Sequence, residues 1–250
     1  MSAAVKDGSG DAGWMMRPVA HIRSPFPDKF GVPRQSGLVR QITSRVVFTP
    51  EFRDGTALRG LEEFSHIWLI WQFSAHLEQG WSPTVRPPRL GGNQRRGVFA
   101  TRSPFRPNPL GLSCVELLEV GRDSDGPYLL VGGADLLDGT PIYDIKPYLP
   151  FSDSRPEASG GFAAGQLEHL LQVRISEELQ DRIPAEEQPA LRRLLSLDPR
   201  PGYQHDPERI YGLYFSGLRV KFSVDGEVLT VRDVQPRPPR EAEEQPEDQT

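Results

Sequence analysis

Cysteine is almost absent from this chain of 250 residues, and Cys114 is the single example. One cysteine can neither form a disulfide within a chain nor supply a cysteine-rich zinc site. Because it lies in an apolar run, residues 110–120, we interpret it as a small core residue. The five histidines are scattered without the spacing of metal ligands, so we expect no bound metal.

Long apolar runs are also lacking. No stretch of about 18 apolar residues predicts a transmembrane helix, and the N-terminus lacks the apolar core of a signal peptide. No Gly-x-Gly-x-x-Gly motif follows a strand and no Walker loop is present, so neither a Rossmann nor a P-loop nucleotide site is supported. We therefore expect a cytoplasmic protein that has no membrane partner.

Acidic residues are missing from the centre of the chain, although the net charge is −5. Residues 79–115 contain no Asp or Glu, and every Lys or Arg in this stretch is an arginine. Arginine presents a planar fork that suits phosphate and stacks on bases. The stretch is either a solvated charged loop or an anion-binding surface, and its residue choice favours the second. The arginines are Arg86, Arg89, Arg95, Arg96, Arg102 and Arg106.

Two loops in this stretch are rich in proline and glycine, residues 86–93 and 103–111. Proline restricts the backbone and glycine permits close approach. Such loops suit a site that holds backbone groups ready for a ligand. A later segment, residues 135–148, brings Asp135, Asp138 and Asp144 close in sequence. A carboxylate here either pairs with an arginine or faces a ligand amine.

The chain changes character near residue 150. Short β-type segments punctuated by Gly and Pro fill residues 17–148, and this pattern predicts an all-β sandwich or barrel. Residues 155–234 are mixed and predict a small α+β unit. Residues 1–16 and 235–250 are interpreted as a disordered leader, in which Met15 or Met16 is an alternative start, and a disordered acidic tail.

Specific elements are also predicted within this outline. In the second unit these are a helix capped by Ser176, a helix over 185–197, and a hairpin around Asp225-Gly226 whose strands are residues 211–224 and 227–234. Residues 167–175 fit either a strand or a helix. The first unit is predicted to have strands at Pro18–Arg23, Gly37–Phe48, Phe64–Phe73, Gly97–Thr101, Leu112–Val120 and Tyr128–Asp135.

Several long motifs resemble the TrmO family, also called YaeB or TsaA-like proteins. They include FGVPRQSGL at 30–38, LEEFSHIWL at 61–69 and GVFATRSPFRPNPLGLS at 97–113. The resemblance also includes residues 22–26, 80–92, 135–151 and 198–203 and the strand around Phe222, and it extends over about residues 17–234.

The resemblance implies a fold and an activity. The fold is mainly β: a TsaA-like β-barrel over 17–154 that binds S-adenosylmethionine, followed by a small α+β domain. The activity is methylation of N6 of threonylcarbamoyl-adenosine at tRNA position 37, notably in threonine tRNA. Members of the family form homodimers.

The resemblance also implies the residues that contact the cofactor. One position departs from the family, which commonly has a His–Gln-like pair where this chain has Ser74-Ala75; His76 is shifted by two places and is a candidate substitute. The expected cofactor residues are Pro33, Arg34, Gln35, Ser74, Ala75, Arg102, Leu112, Asp138, Gly139, Thr140 and Pro141.

The substrate side is predicted from charge and chemistry. We expect Arg86, Arg89, Arg95, Arg96 and Arg106 to bind the anticodon stem-loop. The modified N6 is urea-like and a poor nucleophile, so a nearby base would help, and Asp138 or Asp144 is predicted for that role. The rival functions are a non-catalytic RNA-binding barrel and a methyltransferase that acts on a small molecule.

Overall fold

The structure is a computed structural model. It describes residues 15–87, 94–164, 170–200 and 206–238, together with the backbone of two paired dipeptides, 5–6 and 12–13. Arg89, one of the arginines predicted to bind RNA, lies outside the described residues. So do most residues of the predicted leader and tail.

Strands account for most of the regular structure. They are β1 (Val5–Lys6), β2 (Ala12–Gly13), β3 (Ala20–Arg23), β4 (Thr43–Phe48), β5 (His66–Gln72), β6 (Thr84–Val85), β7 (Arg96–Gly97), β8 (Leu110–Asp123), β9 (Gly126–Gly132), β10 (Pro141–Pro147), β11 (Gln172–Arg174), β12 (Tyr211–Phe215), β13 (Leu218–Asp225) and β14 (Val228–Pro236). The α-helices are α1 (Pro150–Asp153), α2 (Glu177–Gln180) and α3 (Gln188–Ser196), and 3₁₀ turns include Ser74–Gln79 and Val98–Ala100.

A six-stranded sheet forms the N-terminal domain. The strands pair in the order β10, β3, β4, β9, β8 and β5, and β10 also pairs with β5, so each strand has two neighbours. Alternate residues of β5 point inward: Ile67, Leu69 and Trp71 are buried whereas their neighbours are half-buried. This period of two is the pattern of a strand with one face in a core. The mainly β fold class is confirmed.

A second sheet forms the C-terminal domain, in the order β11, β14, β13 and β12. Helix α3 buries one face, including Leu191 and Leu195, in the core shared with this sheet. Pairing of β11 with β14 is parallel, which identifies residues 172–174 as a strand. The expected cap of the second α-helix is present, because the Ser176 hydroxyl accepts a hydrogen bond from the Leu179 amide at 3.4 Å.

The segment 26–42 links the two domains. It follows β3 in the N-terminal domain, yet Phe26, Val39 and Ile42 are buried in the core of the C-terminal sheet. Phe26 packs on Phe215 of β12 with ring centroids 5.9 Å apart. The C-terminal domain therefore rests on a segment that leads from the first strand of the N-terminal sheet to the second.

Several strand predictions were wrong in detail. The strand expected over 128–135 ends at Gly132. Residues 37–42 form turns, and β4 begins only at Thr43. Residues 98–100 form a 3₁₀ turn that follows the two-residue strand β7. The expected strand at 211–224 is divided by a turn at Ser216-Gly217, where both residues have positive φ. Strand β10 was not predicted, because it contains two prolines and two charged residues and its burial does not alternate: Ile142 is its one buried residue.

Helices of the described residues are short, and none is long and apolar enough to cross a membrane.

Candidate active site

Three adjoining cavities open where β5, β8 and the loops of residues 29–36 and 101–106 meet. Two of them, of about 140 and 350 Å³, share Val32, Trp71, Phe73 and Asp135, and we call them together the cleft. The third, of about 980 Å³, shares Arg34, Gln35, His76, Thr101 and Arg102 with the cleft, and we call it the arginine cavity. The two larger volumes lie within the range of about 300–1,000 Å³ that is usual for small-molecule sites.

The cleft wall is set by the pairing of β5 with β8. Trp71 lies opposite Gly111 in this antiparallel ladder. Because Gly111 has no side chain, the Trp71 ring lies over its Cα, where an added Cβ would come within 2.3 Å of the indole. The indole also packs edge-on against Phe73 at 4.4 Å. The result is an apolar wall that suits the uncharged parts of a ligand.

A hydrogen-bonded chain lies behind this wall. The Trp71 Nε1–H donates to Ser113 Oγ at 2.9 Å, and Ser113 Oγ–H donates to Asp135 Oδ1 at 2.6 Å. Burial raises the pKa of Asp135, although hydrogen bonds from Ser113 and the charge of Arg102 act in the opposite direction. Asp135 lines both cavities of the cleft.

The PRQ segment forms the opposite wall. Pro33, Arg34 and Gln35 all line the larger cleft cavity. Arg34 is tied to the C-terminal domain, because its Nη2 donates to the carbonyls of Asp198 and Arg200 at 3.3 and 3.0 Å. The Arg102 guanidinium donates to the Gln35 side-chain carbonyl, where the cleft joins the arginine cavity.

Ser74 and Ala75, which replace the His–Gln-like pair common in the family, line the smaller cleft cavity at the start of the 3₁₀ turn 74–79. Lys29 Nζ donates to the Ala75 carbonyl at 3.0 Å, so this turn is held by a side chain from the opposite wall. His76 also lines the cavity, and its ring meets Phe105 edge-on at 5.7 Å. Burial, with help from the Lys29 charge, lowers the pKa of His76.

The DGTP loop is only partly exposed to the cleft. Thr140 is buried and lines the smaller cavity, whereas its neighbours Asp138, Gly139 and Pro141 are not among the lining residues. Asp138 is exposed, and its Oδ1 accepts the Ser24 amide at 3.1 Å. The Gly139 backbone has φ of 76°, a left-handed conformation that glycine adopts readily.

The other predicted base, Asp144, lies on β10 and does not line the cleft cavities. Its Oδ2 is 2.8 Å from Lys146 Nζ, in an exposed ion pair. The predicted role of Asp138 or Asp144 as the base stays a prediction. Among the carboxylates of the 135–148 segment, Asp135 is the one that lines the cleft.

The predicted RNA-binding arginines have different surroundings. Arg86 and Arg95 line the arginine cavity, and Arg95 Nη1 donates to Thr84 Oγ1 at 2.9 Å. Arg96 is stacked over Phe162 at 5.9 Å. Arg106 lines the cleft, and its Nη1 donates to the carbonyls of Thr101 and Ser103 at 2.9 and 3.4 Å. Arg106 thus braces its own loop.

Sequence reasoning missed Lys29, Val32, Trp71, Phe73 and Asp135 as cleft residues. Trp71 and Phe73 fall in the predicted strand Phe64–Phe73. The alternation that predicts a strand does not predict that a cavity lies beside that strand. A carboxylate that directly follows the apolar run 128–134 was the available signal for Asp135. The sequence groups Asp135 with Asp138 and Asp144 in a turn-rich segment, and this grouping does not distinguish it from them.

Residues 21–154 match the family model described as tRNA-methyltransferase O N-terminal domain, and residues 168–237 match the TrmO C-terminal domain. The chain belongs to the TrmO family. The first of the two matches contains the residues that line the cleft, and the second contains the sheet on which segment 26–42 packs.

Relatives within the TrmO family are similar over most of their length. The chain is 44% identical over 224 residues to a tRNA (adenine(37)-N6)-methyltransferase of Escherichia coli (strain K12), covering 86% of this chain and 95% of that protein. It is 48% identical to a protein of the same name from Eikenella corrodens, over 65% of this chain and 92% of that one.

A solved structure of TrmO from Pseudomonas aeruginosa has the same fold. It superposes with a TM-score of 0.73 at 32% identity, and the match covers 89% of this chain and 99% of that one. The TrmO-type arrangement of the two domains therefore extends through most of the present chain.

Proposed function

We propose that this chain is an S-adenosylmethionine-dependent tRNA (adenine(37)-N6)-methyltransferase. The observation that carries the proposal is membership of the TrmO family over both domains, combined with the position of the motif residues around one cleft. Curated relatives from bacteria and mammals bear the same enzyme name, and others are named as S-adenosylmethionine-dependent or S-adenosylmethionine-binding proteins.

The cleft fits the cofactor chemically. Trp71, Phe73 and Leu112 offer apolar surface to the adenine ring and the methylene groups. Eight expected cofactor residues line it: Pro33, Arg34, Gln35, Ser74, Ala75, Arg102, Leu112 and Thr140. We propose these as the cofactor site, with Asp138, Gly139 and Pro141 supporting it through the loop that carries Thr140.

When bound, S-adenosylmethionine supplies a methyl group that is electrophilic because its sulfur is positively charged. The protein then has to hold the acceptor nitrogen in line with that group, which is catalysis by orientation. Arg102 and Gln35 stand where the cleft meets the arginine cavity. We infer that the target nucleoside enters from the arginine cavity and that these two residues position it.

The arginine cavity has the chemistry of an RNA site. Arg86 and Arg95 supply positive charge for phosphates, and the rings of Phe105 and Phe162 line the same space. Aromatic and guanidinium planes stack on unpaired bases, which is how proteins usually read single-stranded RNA. We propose that this cavity receives the anticodon loop, with Arg89, Arg96 and Arg106 contributing at its edges.

The finer substrate is proposed to be threonylcarbamoyl-adenosine at position 37, chiefly in threonine tRNA. An arginine of the cavity pairs with the threonyl carboxylate in this proposal, which makes the earlier modification a condition for methylation. The product is the N6-methyl derivative. The proposed place of action is the cytoplasm, where tRNA is modified.

A homodimer is also proposed. Phe99 is 75% exposed, and a large exposed apolar side chain of this kind is open to burial by a second copy. Light scattering coupled to size exclusion checks this: a single mass near 28.0 kDa at micromolar concentration would contradict it, and about twice that mass is expected.

The test of the function uses labelled S-adenosylmethionine and two preparations of threonine tRNA. One is purified from cells that lack this methyltransferase, and the other is transcribed without modifications. Nucleoside mass spectrometry is expected to find label in N6-methyl threonylcarbamoyl-adenosine from the first preparation only. Transfer to neither, despite tight tRNA binding, would favour the non-catalytic RNA-binding barrel; transfer without RNA would favour a small-molecule methyltransferase.

A further inference from the structure

Asp135 occupies an unusual position in the cleft. It lies directly after the buried residues 131–134, and it lines both cleft cavities, so it stands in the wall between them. A carboxylate at such a place loses much of its hydration. The protein keeps it there with a specific set of hydrogen bonds, which indicates that the group is positioned for a ligand.

The direction of the hydrogen bonds at Asp135 is determined by the chemistry of the donors. An indole N–H can only donate, so Ser113 Oγ accepts from Trp71 and turns its own proton toward Asp135. Asp135 Oδ1 is therefore an acceptor in this chain of bonds. Backbone hydrogen bonds from Ser36 and from Asp135 itself also favour the ionised carboxylate. The carboxylate is thus held as an acceptor at the edge of the cleft, and an acceptor of this kind can take up an incoming proton.

The charges around Asp135 come from both sides of the cleft. Arg34, Arg102 and Arg106 line the larger cavity with it, and Lys29 and His76 line the smaller one. Burial raises the pKa of Asp135 above its ordinary value despite the opposing charge of Arg102. A carboxylate whose pKa is raised toward the working pH binds a proton more readily, which suits a general base.

We propose that Asp135 is the catalytic base that accepts the N6 proton during methyl transfer. This inference rests on the proposed function. The N6 lone pair forms a bond to the methyl carbon as the carbon–sulfur bond breaks, and that electron pair remains on sulfur. The N6–H bond breaks, its proton passes to the Asp135 carboxylate, and solvent later takes it up.

Asp138 and Asp144 are the alternatives within the same segment. Asp138 is exposed and accepts the Ser24 amide. Asp144 is half-exposed and pairs with Lys146. Neither lines the cleft cavities, so a substrate held there would reach Asp135 first.

The experiment compares D135N, D138N, D144N and S113A with the wild type. The conservative control is D125N, which removes a carboxylate in the exposed β8–β9 turn. Single-turnover methyl transfer to threonine tRNA from cells lacking this methyltransferase is measured at saturating S-adenosylmethionine from pH 5 to 9. Isothermal titration with S-adenosylmethionine alone gives the cofactor affinity, and ¹³C NMR of labelled aspartate carboxyls follows ionisation without turnover.

D135N is expected to lower the single-turnover rate about 10²- to 10⁴-fold, the usual contribution of a positioned base. The affinity of D135N for S-adenosylmethionine should change less than about fivefold. The fall in rate that the wild type shows at acidic pH should be absent from the pH–rate profile of D135N. S113A removes a hydrogen bond that favours the ionised form, so its acidic limb should move to higher pH. The carboxyl resonance that titrates at raised pH should be missing from D135N.

Three results would overturn the assignment. The first is a single-turnover rate of D135N within threefold of the wild-type rate, and the second is a full loss of that rate in D138N or D144N instead. The third is a fall in the affinity of D135N for S-adenosylmethionine that is large enough to explain the whole loss of rate. Circular dichroism checks that D135N is folded, and the pH shift in S113A tests the assignment if it is not. If the wild type itself transfers no methyl group, the proposed function has failed and the NMR titration still reports on Asp135.

Discussion

Gly111 lies directly beneath the indole of Trp71, its partner across the β5–β8 ladder, and an added Cβ would come 2.3 Å from the Trp71 ring. The ring in turn donates to Ser113, which donates to Asp135. One missing side chain in β8 therefore sets the position of an apolar wall and of a carboxylate in the same cleft.

Gly111→Ala should displace the indole, because a contact this short cannot be relaxed by a small shift. We expect cofactor affinity to fall at least tenfold and the free energy of unfolding to fall by about 1–3 kcal/mol, as overpacking usually costs. Titration calorimetry and denaturant melts measure both. Gly212→Ala in β12 is the control, since nothing lies within 4 Å of a Cβ there. Equal effects of the two changes would contradict this account.

Arg102→Lys should lower kcat/KM for tRNA methylation at least tenfold. The guanidinium donates to Gln35 where the cleft meets the arginine cavity, and a lysine lacks the planar fork that lets one arginine bind both Gln35 and a ligand. Arg122→Lys is the matched control, because Arg122 is exposed at the far end of β8. An Arg102→Lys enzyme with wild-type kinetics would show that charge alone suffices.

Alanine at Arg86, Arg95 or Arg96 should weaken tRNA binding and lower the slope of log K against log salt by about 1 for each lost phosphate contact. Arg106→Ala should instead disturb the 101–106 loop, because Arg106 donates to two carbonyls of that loop. Filter binding between 50 and 300 mM salt measures the slopes, with Arg122→Ala as the control. Unchanged slopes in all three would exclude the arginine cavity as the RNA surface.

Asp198→Asn should reduce the free energy of unfolding at pH 7 by about 1–3 kcal/mol, because it removes the charge partner of the buried Arg200. Asp198 has φ of 52°, which asparagine also tolerates, so the change isolates the charge. Burial raises the pKa of Asp198, but the hydrogen bonds and charge of Arg200 outweigh it and leave the pKa lowered.

A lowered pKa gives stability that is present above the ordinary value of 3.8 and is lost as pH falls through the folded-state value. The difference between Asp198→Asn and the wild type should therefore shrink as the pH falls below 3.8. Urea melts at several pH values measure it. If the difference in unfolding free energy between the variant and the wild type is the same at every pH, the ion pair with Arg200 is not the source of that difference.

Asp135→Asn should change stability in the opposite direction. The pKa of Asp135 is raised from 3.8, so its ionisation in the folded state costs stability as pH rises through the folded-state value. The asparagine side chain stays neutral and still accepts the Ser113 hydroxyl. Thermal melts at several pH values should show the Tm of the variant increasing relative to that of the wild type as the pH rises. A relative loss at high pH would contradict the burial of this charge.

Local signals in the sequence determined several elements of this protein. The alternation of β5, the Ser176 cap and the β13–β14 hairpin act over a few residues, so pattern alone located them. The turn of that hairpin is Gly226-Glu227, one position after the expected Asp225-Gly226, because Asp225 still pairs with Val228. The motif resemblance likewise indicated the residues around the cleft, of which Pro33, Gln35 and Arg102 line it. These are properties of short stretches that need no knowledge of distant parts.

Tertiary structure alone decided the rest. Segment 26–42 packs in the C-terminal core because its apolar residues meet a sheet nearly 200 positions further along, as the Phe26–Phe215 contact illustrates. Three carboxylates stand within ten residues, yet only the fold decides that Asp135 meets Ser113 in the cleft while Asp138 and Asp144 do not line it. The burial of each carboxylate and the charges around it depend on which strands pair and which loops meet. Because those pairings join distant parts of the chain, no single segment of sequence determines them.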